Sequence, residues 1–169
     1  MLLTATTSLA VTTSVEFKAG PFSFGDITVN AFNNNLPIAL TGEDQTVEAT
    51  VNDFSIVDAR GNNKGWILRV SAEPFNNGTG STLHEGALKM DKTMVTAKGN
   101  SDKFDDNCII SNDITVTSIP QNLIAVPQSK GKGTYTVSNA KFSLTIWPKE
   151  VLSTTYTSTV TFELVTNVK

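Results

Sequence analysis

The segment Gly65-Trp66-Ile67-Leu68-Arg69-Val70 decides the fold class of this chain. In an extended strand successive side chains point to opposite faces, so Trp66, Leu68 and Val70 share one apolar face. The side chains between them point the other way, and one of them is an arginine. This alternation predicts a β-strand with one face in a core.

A second segment near the C-terminus has the same alternation. Every second residue from Tyr156 onward lies on one face, and that face includes Phe162 and Leu164. The opposite face carries three threonines and a glutamate, which suit a strand and tolerate water. The chain therefore has two predicted strands that each contain an aromatic-x-Leu triplet on a single apolar face.

The order of these segments and the turn before Trp66 resemble the WxL domains of Gram-positive cell surfaces. Members carry a first Trp-x-Leu after a glycine-rich turn, with an Asp and an Arg-Gly upstream. A second Trp-x-Leu lies at the C-terminus, six residues after a Tyr. Phe162 stands here in place of the second Trp. The matching residues are Asp58, Arg60, Gly61, Gly65, Trp66, Leu68, Tyr156, Phe162 and Leu164.

The resemblance covers most of the chain and implies a function. It implies a secreted, non-enzymatic protein of the cell surface that binds the cell wall non-covalently. The implied partner is peptidoglycan or another wall glycan. Other surface proteins, or further copies of this chain, are additional candidate partners.

Length and patterning predict an all-β fold, a single-domain antiparallel β-sandwich of about eight strands over residues 1–169. With 169 residues and 39% apolar content, the chain is long enough to bury one core. Period-two alternation recurs between clusters of Gly and Asn, and no segment has an amphipathic helical pattern. The predicted strands lie at about 11–18, 26–32, 46–57, 65–73, 86–97, 108–119, 133–146 and 155–165.

Residues 1–14 are a candidate strand-forming arm. The stretch from Thr4 to Val15 is rich in threonine and uncharged, so it has the propensity to add itself to an open sheet edge. This suggests an alternative function, a self-assembling subunit of a surface layer or filament that donates the arm as a strand. An ordinary edge strand within one molecule is the other interpretation. The first ten residues lack the pattern of a complete signal peptide, which favours a mature N-terminus or the remainder of a removed signal.

Net charge argues against nucleic acid as a partner, and hydropathy argues against a membrane-spanning helix. The net charge is −3 and there is no run of Lys and Arg, so the electrostatic attraction needed for nucleic acid is missing. No stretch approaches the roughly 18 apolar residues of a membrane-spanning helix. Charged residues make up 17% of the chain, below the roughly 25% of an average soluble domain, which is typical of an extracellular β protein.

The aromatic-x-Leu residues have two interpretations. As core residues they would close the sandwich, since burying one large apolar side chain stabilises a protein by roughly 1.5–3 kcal/mol. As an exposed row they would form a platform for sugar rings, which pack on aromatic faces. The core interpretation is the simpler one. These residues are Trp66, Leu68, Tyr156, Phe162 and Leu164.

The turn before Trp66 is also open to two interpretations. Asp58 and Arg60 are spaced to pair across a tight turn, with Gly61 or Gly65 supplying a positive φ. Capture of a ligand by Arg60 is the alternative. We favour the ion pair, because loop charges usually serve local order.

The sequence nominates no catalytic residue, metal site or cofactor. His84 is the single histidine and Cys108 the single cysteine. The chain therefore has too few of these residues for a typical zinc site, and a serine triad would have to use His84. We expect His84 to be exposed. We expect Cys108 to be a small buried thiol, and the alternative is that it forms a disulfide with another chain. The polar stretch 100–107 is predicted to be a solvated loop, since its acids do not match a calcium-binding pattern.

Overall fold

The computed structural model describes residues 14–167, and these form an all-β sandwich, as predicted. All pairings between its strands are antiparallel. The strands are β1 Phe22–Phe24, β2 Gln45–Thr50, β3 Phe54–Asp58, β4 Trp66–Ala72, β5 Leu88–Met90, β6 Met94–Lys98, β7 Ile109–Ile110, β8 Ile114–Thr115, β9 Gln121–Val126, β10 Gly133–Ser138, β11 Lys141–Ile146 and β12 Val160–Thr166. Two short 3-10 turns lie at Phe32–Asn35 and Pro148–Glu150.

Three four-stranded sheets share one apolar core. Their strand orders are β1-β3-β10-β6, β2-β11-β5-β8 and β12-β4-β9-β7. The three bulkiest side chains that are fully buried, Trp66, Tyr135 and Phe142, come from β4, β10 and β11. Each sheet therefore buries one of these large aromatic side chains in the common core, and their burial stabilises the packing of the sheets.

Alternating burial follows the predicted pattern in the central strands. In β4 every second side chain is buried from Trp66 to Ala72, and β11 alternates in the same way. The prediction of a strand at 65–73 is thus confirmed. This pattern arises because one face of an antiparallel sheet packs on the core while the other meets water.

Several predicted strands are shorter or divided in the structure. The segments predicted at 46–57, 86–97, 108–119 and 133–146 each contain two strands separated by a turn. In the last of these, Asn139 has a φ of 57°, which turns the chain between β10 and β11. The segment predicted at 26–32 makes only an isolated bridge from Val29 to Val51. The prediction of continuous strands there was wrong because turn residues interrupt them.

The N-terminal prediction falls largely outside the described residues. Of the arm at 1–14 only Ser14 is described, and of the strand predicted at 11–18 only residues 14–18. Residues 14–18 form no strand and are exposed. The chain joins the fold at Gly20, whose backbone N–H donates to the carbonyl of Ala59 at 2.7 Å.

The two aromatic-x-Leu segments lie side by side in one sheet. β12 pairs with β4 so that Leu164 faces Leu68, and Phe162 faces Val70. On its other edge β4 pairs with β9, a strand that the sequence pattern does not predict. Strands β12, β4 and β9 therefore form the framework from which the candidate site is built. Over residues 14–167, no helix is long and apolar enough to span a membrane.

Candidate functional site

Trp66 lies in the core and has no exposed surface. Its relative exposure is 0%, its indole N–H donates to the carbonyl of Gly131 at 3.0 Å, and its ring meets Tyr135 edge-on at 5.7 Å. Leu68 is equally buried. Because neither side chain reaches solvent, this strand offers no platform on which a sugar ring could stack.

The second aromatic-x-Leu segment also faces inward. Phe162 is half-buried, with ring centroids 6.2 Å from Phe54 and 6.3 Å from Phe142. Leu164 is half-buried against the same core. The ring that replaces the family's second Trp thus packs between aromatic rings of two other strands.

The turn after β3 is held by one arginine. The guanidinium of Arg60 donates to both carboxylate oxygens of Asp58 at 2.8 and 2.7 Å, and to the carbonyl of Gly65 at 2.8 Å. It also donates to the hydroxyl of Thr166 at 2.6 Å and lies 3.5 Å over the ring of Phe22. The side chains of Asp58 and Arg60 are only 1% and 13% exposed. All these contacts are internal, so Arg60 joins β1, β3 and β12 rather than facing a ligand.

Two glycines permit the close packing around Trp66. Gly65 has a φ of 62°, and a Cβ there would lie 2.4 Å from the carbonyl oxygens of Val126 and Pro127. Gly131 has a φ of 83°, and a Cβ there would lie 2.5 Å from the indole nitrogen of Trp66. A side chain at either position would strain the backbone. At Gly65 it would also collide with backbone carbonyls, and at Gly131 it would collide with the indole of Trp66. Gly61 also has a positive φ, of 68°, but has open space around it.

The polar loop at 100–107 closes over the core next to Trp66. The hydroxyl of Tyr135 donates to the carbonyl of Asp102 at 2.8 Å, and burial raises the pKa of Tyr135. Asp105 pairs with Lys130 at 2.6 Å, and this ammonium lowers the pKa of Asp105. The loop is thus tied down rather than fully solvated. Among the described residues no three His, Cys, Asp or Glu side chains gather as metal ligands.

Cys108 and His84 both differ from simple surface residues. Cys108 is a half-buried thiol, and burial raises its pKa. The prediction that His84 is exposed was wrong, because its ring stacks on Trp147 at 3.5 Å and its Nδ1 lies 2.7 Å from the carboxylate of Glu150.

Tyr156 belongs to a separate network at one end of the sandwich. Its hydroxyl accepts from the N–H of Leu152 at 3.0 Å and shares a hydrogen bond of 2.7 Å with the hydroxyl of Ser81. One of these two hydroxyls donates to the other, and the second donates to the carbonyl of Glu150, which lies 3.0 Å from Ser81 and 3.3 Å from Tyr156. Tyr156 therefore fixes the course of the loop from Glu150 to β12. In the β12–β4 pairing Thr166 lies opposite Trp66, so Tyr156, which precedes β12, lies towards the other end of β4.

This loop forms one wall of an open groove of about 980 Å³. Another wall is the segment 35–40, which begins at the last residue of the first 3-10 turn. No lining residue among the described ones carries a charge. The lining residues are Phe32, Asn35, Leu36, Pro37, Ile38, Ala39, Leu40, Phe75, Leu83, Leu144, Ile146, Val151, Leu152, Ser153, Thr154, Thr155 and Tyr156.

The sequence pattern does not indicate this groove. Apart from Tyr156, its residues belong to no predicted site, since they come from distant segments that only the fold brings together. One signal was present in the run Leu36-Pro37-Ile38-Ala39-Leu40, which is apolar but does not alternate. Two leucines of that run, Leu36 and Leu40, are exposed in the structure.

Comparison with known proteins identifies a family. The family model described as "WxL domain surface cell wall-binding" matches residues 7–167, nearly the whole chain. This match confirms the resemblance carried by the aromatic-x-Leu segments. No curated protein and no solved structure matches the chain.

Proposed function

This chain belongs to the WxL family of surface cell wall-binding domains, and from that membership we propose that it is a non-enzymatic protein that binds peptidoglycan non-covalently. The extent of the family match carries the proposal, because it includes both aromatic-x-Leu segments and the Arg60 turn. A domain of this kind, secreted to the cell surface, would hold itself on the wall without a covalent link.

The contacts of the motif residues support a structural role for them within that function. Trp66 and Leu68 are fully buried, and Arg60 directs its polar atoms to internal partners. Groups that hold the framework in this way are not available to a wall polymer. These contacts favour a wall-binding surface away from Trp66, Leu68 and Arg60.

The setting of the single histidine supports a non-enzymatic role. Hydrogen bonds of the His84 ring go only to Glu150 within the described residues, and its face is covered by Trp147. A general base must lie within hydrogen-bond reach of the proton it removes, usually on a nucleophile held beside it. In this arrangement His84 fixes the loop at Pro148–Glu150.

Co-sedimentation with purified peptidoglycan sacculi tests the proposal. We expect the protein to pellet with the sacculi, to be released intact by denaturant, and to liberate no reducing sugar or free peptide amine. A protein that remains in the supernatant would exclude wall binding. Release of soluble fragments by the protein would instead reveal an enzyme.

As a second candidate function we propose self-assembly through the N-terminal arm. Val15 and Phe17 are 73% and 86% exposed, although they alternate along the chain as the apolar face of a strand does. Exposed apolar residues of this size favour contact with another surface. A sheet edge of a second copy is the partner that strand addition would use.

Deletion of residues 1–12 tests this second candidate. A second variant, Phe17→Ser, keeps all residues of the chain and removes only the exposed aromatic ring. Static light scattering gives the mass of each form in solution. Self-assembly predicts a mass above that of one chain for the native protein and a lower mass for both variants. An unchanged mass on deletion would exclude strand donation between copies.

A further inference from the structure

We infer that the groove between segments 35–40 and 151–156 is a glycan-binding site, and that its ligand is a neutral chain of N-acetylated sugars. The inference rests on the proposed wall-binding function and assigns a surface and a ligand class to it. The volume of about 980 Å³ is at the upper end of the roughly 300–1,000 Å³ of typical ligand sites. An open groove of this size suits several linked sugar units rather than one small molecule.

The polymers of a bacterial wall differ in charge. Teichoic acids carry a phosphate in each unit, and peptide stems carry free carboxylates and amines. The glycan backbone is neutral wherever its lactyl groups are amide-linked to the peptide. Anionic polymers are held by Lys and Arg, and the described lining of the groove contains neither. The neutral glycan is the wall component that matches this lining.

Exposed leucines of the groove offer apolar surface to a sugar. Leu36, Leu40 and Leu152 line the groove and are exposed, and Phe75 is half-buried. Pyranose rings present C–H groups on their faces, and each N-acetyl group adds a methyl. Ligand sites typically combine apolar surface of this kind with a few polar groups that fix orientation.

The rim supplies those polar groups. Ser153, Thr154, Thr155 and Asn35 are exposed at the groove. Their side-chain oxygens and nitrogens have no hydrogen-bond partner within the part of the chain that the structure describes. Hydroxyls and amides both donate and accept, so they can match the hydroxyls and acetamido groups of a sugar chain.

Both walls are fixed before a ligand arrives. The Tyr156 hydroxyl holds one wall through Ser81 and Leu152, at 2.7 and 3.0 Å. On the other side Phe32 meets Phe75 edge-on, with ring centroids 5.8 Å apart. A groove held in this way loses less conformational entropy on binding than a flexible one.

Titration with the β-1,4-linked tetramer of N-acetylglucosamine tests the inference. The variants are Leu36→Asp and Leu152→Asp, at exposed rim positions where a change should not unfold the protein. Ile119→Asp is the matched control, since Ile119 is exposed but does not line the groove. Calorimetry should detect binding to the native protein and the control. Each rim variant should weaken it by about tenfold or more, because a carboxylate must be desolvated beside the sugar.

Other ligands and occupants are distinguished by parallel titrations. A soluble stem peptide and a polyglycerol phosphate should not bind; saturable binding of either, without the sugar tetramer, would overturn the ligand class. A native oligomer that Leu152→Asp dissociates, without sugar binding, would mean that another copy occupies the groove. That result would also overturn the inference.

The inference and the proposed function fail in different ways. If native protein and both rim variants sediment equally with sacculi, the wall-binding function stands and the groove is not its site. If no form sediments with sacculi, the proposed function itself is wrong. Circular dichroism and the unfolding midpoint of each variant confirm that lost binding does not reflect lost folding.

Discussion

Nη1 of Arg60 donates a hydrogen bond to the hydroxyl of Thr166 at 2.6 Å, across 106 positions of sequence. This bond joins the turn after the third strand to the end of the last one. The same guanidinium binds the buried carboxylate of Asp58 and covers the ring of Phe22. One side chain thus ties the first, third and last strands together, which explains an arginine on a glycine-rich turn without a ligand.

Replacing Arg60 should destabilise the protein strongly. Arg60→Ala leaves the carboxylate of Asp58 buried without its counterion, and loss of one partner of a buried pair costs about 3–5 kcal/mol. Arg60→Lys should recover only part of this, because an ammonium cannot make the forked contacts of a guanidinium. Urea unfolding measures both. The control is Arg69→Ala, which removes a surface pair with Glu163 at 3.8 Å and should cost about 0–1 kcal/mol. Equal losses for Arg60→Ala and Arg69→Ala would contradict a structural role for Arg60.

Trp66 should contribute to stability because its large side chain fills space in the core and because its indole N–H makes one hydrogen bond. Trp66→Ala should lower the free energy of unfolding by about 3–5 kcal/mol. Trp66→Phe should cost less, although the carbonyl of Gly131 loses its donor, which alone is worth about 1–3 kcal/mol. Trp147→Phe is the matched control at a half-buried position outside the core cluster. If Trp147→Phe proved as costly as Trp66→Phe, Trp66 would not be a principal core residue.

A methyl group at Gly131 should disturb the indole of Trp66. The Cβ of Gly131→Ala would lie 2.5 Å from the indole nitrogen of Trp66. The Cβ of Gly80→Ala, in contrast, would have no atom within 4 Å. Both glycines have a positive φ, so both variants carry backbone strain and their difference isolates the collision. Gly131→Ala should therefore unfold at the lower urea concentration and shift the emission of Trp66. Indistinguishable midpoints would refute close packing between Gly131 and Trp66.

Glu150 should make the protein less stable in acid. Burial by itself raises the pKa of Glu150, but hydrogen bonds from the side chain and backbone N–H of His84 outweigh it and hold the pKa below its ordinary value of 4.5. The stability that follows from a lowered pKa is fully present above 4.5 and is lost as the pH falls through the lower folded-state value. The unfolding midpoint of Glu150→Gln should therefore change less over this acidic range than that of the native protein. Glu163→Gln, at an exposed site, is the control variant measured alongside it. A Glu150→Gln profile parallel to the native one would exclude this contribution.

The sequence predicted the central strand that alternates, but it did not predict β1 or β9. The strand expected at 65–73 is β4, because its buried side chains recur at every second position. β9 was missed because its pairing with β4 shifts register between Leu68 and Arg69. Leu123 and Ile124 are consequently both buried although they are adjacent, which a period-two pattern cannot indicate.

The candidate site was predictable only in part for a similar reason. Asp58 and Arg60 are two residues apart, so their pairing could be expected from local geometry. The bond from Arg60 to Thr166 and the groove both depend on which strands become neighbours. Tyr156 illustrates the limit: its spacing from Phe162 suggested one continuous strand, yet β12 begins at Val160 and Tyr156 orders a loop.

We propose that the aromatic-x-Leu motif builds the framework of the domain while another surface contacts the wall. Co-sedimentation of native protein and Trp66→Phe with purified sacculi, at a temperature where both are folded, distinguishes these two roles. We predict that both forms bind with affinities within about threefold, a difference of roughly 0.6 kcal/mol. Native binding combined with a tenfold or greater loss for folded Trp66→Phe would contradict the claim, because the indole would then contribute to wall contact itself.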